Sequence, residues 1–119
     1  MTQIFVYGTL KRGGANHAVL AGQKFLGEAR TTAGYTLVSL GDYPGMVRTG
    51  DPSHEVTGEL WLVDDANLAA LDDLEGVAEG LYERVPVALA PPFAGEMVET
   101  YLYRRSVAGR PVIGPAWPA

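Results

Sequence analysis

Ile4-Phe5-Val6-Tyr7-Gly8-Thr9-Leu10-Lys11-Arg12-Gly13-Gly14 is the stretch on which the reading of this chain turns. Its apolar, aromatic and β-branched start predicts a buried strand from Gln3 to Tyr7, which breaks at Gly8 into a loop ending in Gly13-Gly14. Glycine gives such a loop backbone freedom, so the amides of Gly8, Thr9 and Leu10 can converge on one oxygen or one carboxylate as an anion nest. The Gly8 to Gly13 spacing is that of a phosphate loop. Gly14 and Ala15 nevertheless stand where that motif carries Lys and Ser or Thr, which excludes an NTPase reading. Beyond the loop, Asn16 is expected to cap a short helical segment with Val19 and Leu20 turned inward and Gly22 as its stop.

Composition bounds what this loop serves. A chain of 119 residues is expected to form a single domain over 1–119, and its 15 Gly and 8 Pro favour many turns and short strands, a mainly β fold. Nine Lys and Arg against fourteen Asp and Glu give a net charge of −5, which argues against a nucleic-acid partner or an anionic membrane face. The absence of Cys removes disulfides, thiol nucleophiles and thiolate metal sites, and the two His, His17 and His54, are far apart in sequence. Neither a metal nor another cofactor is expected. The opening Met-Thr-Gln-Ile-Phe carries no leader-like basic and apolar run, and no segment reaches the ~18 apolar residues of a membrane span, so the expected location is cytoplasmic.

Further along, Phe25 to Thr32 and Tyr35 to Leu40 read as strands joined near Ala33-Gly34, and Asp42-Tyr43-Pro44-Gly45 as a turn before a short extended piece, Met46 to Arg48. Val56 to Val63 is the clearest central strand: Val56, Gly58, Leu60 and Leu62 share one face and Thr57, Glu59, Trp61 and Val63 the other. Large apolar groups on both faces imply cover on both sides, and Gly58 is expected to mark a bend. Tyr82 to Leu89 and Met97 to Tyr103 complete the strands, with Pro86 arguing that the former lies at an edge or a barrel rim. The tail from about 109 to 119, rich in Pro, shows no period and is expected to be extended.

The one convincing helix begins at Asp64-Asp65 and stops at Gly76. Leu68, Leu71 and Leu74 form its apolar stripe, and Glu75 falls within that stripe while Asp72 lies at its edge. Two readings of Glu75 stand side by side. Either the helix end frays and the side chain is solvated, or the carboxylate is partly desolvated, its pKa rises, and it becomes a base suited to neutral pH. If Glu75 then faces the Gly8 loop, one side of a cavity offers a base and the other backbone donors, a pairing that suits proton removal from a nucleophile as charge grows on a carbonyl oxygen. Glu83 is the rival base, otherwise held in an ion pair with Arg84 or Arg104. Lys11 and Arg12 either draw in a substrate carboxylate or are simply solvated.

Five segments in order carry a resemblance: Tyr7-Gly8-Thr9-Leu10, Tyr43-Pro44-Gly45-Met46-Val47, Val56-Thr57-Gly58-Glu59-Leu60-Trp61, Leu71-Asp72-Asp73-Leu74-Glu75-Gly76 and Leu81-Tyr82-Glu83-Arg84. Together they resemble the gamma-glutamylcyclotransferase-like family, in particular its short branch of gamma-glutamylamine cyclotransferases. The resemblance implies an α+β, mainly β fold: a small, partly open β-barrel with short flanking helices and a cavity at one end. It implies that Tyr7, Gly8, Thr9 and Leu10 bind a gamma-glutamyl group, and that Glu75 is the catalytic base of a metal-independent cyclisation releasing 5-oxoproline. Tyr82 is expected either to line the cavity or to pack in the core, and Tyr43 and Trp61 to border the pocket or to pack. A non-catalytic binding module with the same cavity, and an amidohydrolase activating water through Glu75, are the competing readings. The implied partner is a small gamma-glutamyl molecule; oligomeric state is left open.

Overall fold

The computed structural model describes residues 1–118. The opening stretch forms β1 (Thr2–Val6), the middle strand of a five-stranded sheet. On one side β1 pairs antiparallel with β5 (Thr57–Val63), from Thr2 opposite Val63 to Val6 opposite Glu59. On the other it pairs parallel with β7 (Val98–Tyr103), through Gln3 opposite Val98 and Ile4 opposite Glu99. β2 (Lys24–Arg30) adds to the outside of β5, and β6 (Tyr82–Val87) to the outside of β7, which gives the order β2-β5-β1-β7-β6. Pro86 thus lies on an edge strand, where its missing amide costs no ladder bond.

A central strand must be covered on both faces, and the alternation of β1 is split between two cores accordingly. Phe5 and Tyr7 enter one cluster with Leu37, Met46, Val56, Leu60 and Leu102; Ile4 and Val6 enter the other with Trp61, Val63, Leu71, Tyr82 and Tyr101. The first cluster is capped by a three-stranded sheet, order β4-β3-β8, made of β3 (Tyr35–Ser39), β4 (Pro44–Arg48) and β8 (Val112–Gly114). The second is covered by α1 (Asp65–Leu74) and a 3-10 turn at His17–Leu20. α1 is only ten residues long, and no helix among the described residues is long and apolar enough to cross a membrane.

The mainly β expectation holds, but the sheets are not closed into a barrel. The outer edges of β2 and β6 converge near one point, where Thr31 bridges Leu89. Three further differences have local causes. β2 and β3, adjacent in sequence, lie in separate sheets, and the irregularity of the large sheet falls in β2 between Phe25 and Gly27, not at Gly58. Gly58 is instead a point of close approach, because a side chain there would collide with the Val6 carbonyl and the Phe5 ring. The tail does not run free: Val112 and Gly114 pair with Val38 and Leu37, the Pro115 carbonyl accepts from the Thr57 amide at 2.8 Å, and Trp117 packs on the first core.

Candidate active site

α1 starts where its sequence dictates. The Asp64 carboxylate accepts from the Asn67 amide at 2.7 Å, an N-cap that meets one otherwise unpaired donor of the first turn. At the other end Glu75 does not fray: its amide still donates to the Leu71 carbonyl at 2.9 Å, and Gly76 with φ +64° turns the chain away. Leu71 is fully buried and Leu68 partly so, but Leu74 is 41% exposed, contrary to its expected inward position. The reason is that Leu74 lines a cavity open to solvent, and Glu75 lines the same cavity one residue deeper in the turn.

The cavity encloses about 370 Å³, in the range of small-metabolite sites. Into it come Tyr7, Gly8, Thr9 and Leu10 from the end of β1 and its loop, Glu75 from the end of α1, Tyr82 from β6 and Tyr101 from β7. All six site residues anticipated from sequence therefore share one space. Asp42, Tyr43, Leu81, Ala15 and Asn16 complete much of the rest, and Tyr43, 39% exposed, is a surface residue at its border. Trp61 is not part of the lining: it is buried under the 3-10 turn, stacked edge-on against His17.

The loop is held rigidly from behind. The Arg12 amide and its Nε both donate to Glu59, at 3.0 and 2.9 Å, and the guanidinium lies 3.9 Å over the Phe25 ring. Trp61 Nε1 donates to the same carboxylate at 3.2 Å. Burial pushes the Glu59 carboxyl up, but the Arg12 side-chain and backbone bonds, with that from Trp61, outweigh it and hold the group below the ordinary range. Arg12 is thus a structural clamp; neither it nor Lys11 lines the cavity. On the other flank Asn16 does not cap the 3-10 turn with its side chain. Its amide group donates to Thr9 Oγ1 at 2.9 Å, and its backbone N–H donates to the Thr9 carbonyl at 2.9 Å. His17 Nδ1 lies 3.0 Å from the Leu10 carbonyl.

With the loop fixed in this way, its own donors are left over. Among the described residues nothing accepts a hydrogen bond from the amides of Gly8, Thr9 or Leu10, although the carbonyls of all three are used. The cavity lining holds two carboxylates, Glu75 and Asp42, and no Lys, Arg or His. Those free amides, with the Tyr43 hydroxyl, are donors on cavity-lining residues that have no acceptor among the described residues.

Four tyrosines line the cavity with Glu75, and the hydroxyls of the three buried ones are committed elsewhere, Tyr43 standing at the exposed border. Tyr7 donates to the Tyr101 carbonyl at 2.6 Å and accepts from the Met46 amide at 3.2 Å; Tyr82 donates to the Pro44 carbonyl at 2.8 Å; Tyr101 donates to Asp72 at 2.7 Å. Among the described residues none donates to the Glu75 carboxylate. Burial pushes its pKa up to about 7, so that near neutral pH the group passes readily between acid and base. Burial, with the nearby Glu75 charge contributing, also drives the hydroxyls of Tyr7 and Tyr82 upward, which keeps them protonated donors. Glu83, the rival base, is half exposed and sits 3.5 Å from Arg104, away from the cavity.

Tyr101 and Asp72 were not picked out as site residues from sequence. A signal existed in the alternation of β7, which sets Glu99, Tyr101 and Tyr103 on one face, and in the register that pairs Arg84 with Tyr101 and Tyr82 with Tyr103. Only the docking of α1 on that face brings Asp72 to them.

A fold and a cavity of this kind define a known class. Residues 4–117 match the family described as Gamma-glutamyl cyclotransferase, AIG2-like, and the chain belongs to that family. It is 34% identical to human gamma-glutamylaminecyclotransferase over 123 aligned positions, covering 89% of this chain and 80% of the human one. It is 34% identical to the gamma-glutamylcyclotransferase family protein YtfP of Escherichia coli, over 93% of this chain and 90% of that protein. The matched part takes in 62%, 51% and 60% of the lengths of the relatives from Vibrio cholerae, Arabidopsis thaliana and rat, so the chain spans less than two thirds of these. Among solved structures, the crystal structure of a mouse AIG2-like protein superposes with a TM-score of 0.73 at 33% identity, over 89% of this chain and 78% of that one.

Proposed function

We propose that the protein is a gamma-glutamyl cyclotransferase that releases 5-oxoproline from a gamma-glutamyl amine or peptide. The observation that carries this reading is the pairing, in one cavity, of the Glu75 carboxylate with the unused amides of Gly8, Thr9 and Leu10. Glu75 takes a proton from the substrate α-ammonium, and the freed amine attacks the γ-carbonyl carbon. A new C–N bond closes the five-membered ring while the carbonyl oxygen becomes an oxyanion facing the loop amides. As the carbonyl re-forms, the original amide C–N bond breaks and the proton held by Glu75 passes to the departing nitrogen; Glu75 then takes the extra proton left on the ring nitrogen and hands it to the released amine, which leaves as an ammonium and restores the carboxylate. Nucleophile and electrophile belong to one molecule, so holding the chain folded supplies of order 7–11 kcal/mol. The hydroxyl of Thr9, which accepts from Asn16, keeps its own proton for a substrate oxygen, and the Tyr7 and Tyr82 rings wall the glutamyl group.

The test is incubation with a panel of gamma-glutamyl amines and dipeptides, with product analysis and with and without a chelator. Release of 5-oxoproline at an unchanged rate in chelator is the expected result. Free glutamate in its place would identify a hydrolase, and saturable binding without product would identify a binding module.

A further inference from the structure

Four groups outside the proposed chemistry form a connected charged cluster behind the cavity. Arg84 Nε and Nη2 reach the two oxygens of Asp72 at 2.9 and 3.2 Å, and Nη1 reaches Glu99 at 2.8 Å. The same Asp72 oxygen that takes Arg84 Nε takes the Tyr101 hydroxyl at 2.7 Å. Asp72 precedes Glu75 by three residues on the same helix end, and Tyr101 lines the cavity beside Glu75. The three charged side chains are 27 to 33% exposed, and ion pairs so exposed contribute only about 0–1 kcal/mol, so the placement of the cluster calls for another explanation.

We propose that Asp72 is a positioning residue for Glu75: by holding the Tyr101 hydroxyl, it keeps that hydroxyl from donating to the Glu75 carboxylate. The proposal rests on the reading of Glu75 as the base. A carboxylate that accepts a hydrogen bond is stabilised in its charged form and is a weaker base. Of the tyrosines that line the cavity with Glu75, Tyr43 stands at the exposed border and the three buried ones are Tyr7, Tyr82 and Tyr101. The first two are tied to backbone carbonyls, which no side-chain change removes. The third is tied to a side chain, and Asp72 is that side chain. The remaining charged and titratable neighbours are Asp42 and Tyr43 from the turn before β4 and Arg84 from β6, whose charge is set against Asp72 and Glu99.

The experiment is an NMR titration of the Glu75 side-chain carboxyl carbon, assigned by its loss in Glu75→Gln, on the substrate-free protein. It is run on wild type, Asp72→Ala, Asp72→Asn and the double variant Asp72→Ala with Tyr101→Phe. In Asp72→Ala the Tyr101 hydroxyl is free to turn to Glu75, and the midpoint is expected to fall by about one unit or more. In the double variant the Tyr101 hydroxyl is absent and the midpoint returns to near 7, the wild-type value. A fall of equal size in the double variant would assign the effect to the unbalanced Arg84 charge and overturn the proposal. Asp72→Asn, which still accepts from Tyr101, is expected to keep a midpoint well above the ordinary 4.5; a drop to that value overturns the proposal even if Asp72→Ala does not fold. No substrate enters this titration, so a failure to release 5-oxoproline would count against the proposed function and leave the Asp72 result readable on its own.

Discussion

Pro44 closes on Gly8 so tightly that a Cβ built on the glycine would lie 2.9 Å from the proline Cγ. The contact joins the cradle loop to the first residue of β4, whose carbonyl also receives the Tyr82 hydroxyl. Gly8→Ala must therefore push apart two walls of the cavity. The expected cost is about 1–3 kcal/mol of stability from overpacking, with a loss of 5-oxoproline release larger than that destabilisation explains. Thermal melting and product assay on the same preparation separate the two effects.

Glu75→Gln keeps shape but cannot accept the proton, and turnover is expected to fall about 10²–10⁴-fold or more. The variant should also be more stable than wild type in mild base. The folded carboxyl titrates near 7 against an ordinary 4.5, so between these values the folded chain holds a proton that the unfolded chain has released. Stability is therefore greatest below about pH 4.5 and declines as pH rises through 7, by at most roughly 3 kcal/mol. Melting at pH 8 is expected to be higher for Glu75→Gln than for wild type, and the difference should vanish near pH 4.

In wild type the same titration appears as an acid limb. The rate at low substrate is expected to rise with pH through about 7, the value of the Glu75 carboxyl. A rate that stays flat from pH 5 to 8 would contradict the assignment of Glu75 as the base.

Much of the site was legible in the sequence because its parts are written locally. The strand-to-glycine break at Gly8 needs only Ile4 to Gly14, and the inward aim of Glu75 follows from the helical period of Leu68 and Leu71 and from the stop at Gly76. What was not legible depends on distant pieces meeting. Arg12 looks like a solvated loop residue until Glu59, 47 residues away, is placed beneath it. The parallel pairing of β1 with β7 has no marker in either segment, and β8 is three residues long within a Pro-rich tail, too short for any period to show. Leu74 was misplaced for a related reason: its period is apolar and correct, but the surface it faces is a cavity and not a core.

Glu59 supplies a prediction about the clamp. Glu59→Ala leaves the Trp61 Nε1 donor and the Arg12 amide without their acceptor while the half-exposed Arg12 guanidinium turns to solvent, and is expected to destabilise by about 1–3 kcal/mol. Glu59→Gln keeps an acceptor for some of these donors and should cost less. If the loop amides are the anion cradle, the folded fraction of Glu59→Gln should show a raised KM with a smaller change in kcat, read from steady-state assays below the melting transition.

Trp117 tests the tail. Its ring packs on the core beneath the three-stranded sheet, beyond the β8 pairing with β3. Trp117→Ala is expected to lower stability by about 1–3 kcal/mol, less than for a fully buried ring, because the side chain is only partly enclosed. The Glu75 titration midpoint should be unchanged, since Trp117 is not part of the cavity lining.

The parallel pairing of β1 with β7 also fixes when the site can exist. Tyr7 and the carbonyl that receives its hydroxyl, on Tyr101, are 94 residues apart, and β1 finds its first strand partner only at β5. Contacts of such long range close late and make folding slow. During synthesis the apolar run Ile4 to Tyr7 is made before either strand that pairs with it, one edge waiting for β5 from Thr57 and the other for β7 from Val98. Until those strands arrive the apolar run is exposed, and the charged pair Lys11-Arg12 in the loop that follows it serves then as a gatekeeper against self-association.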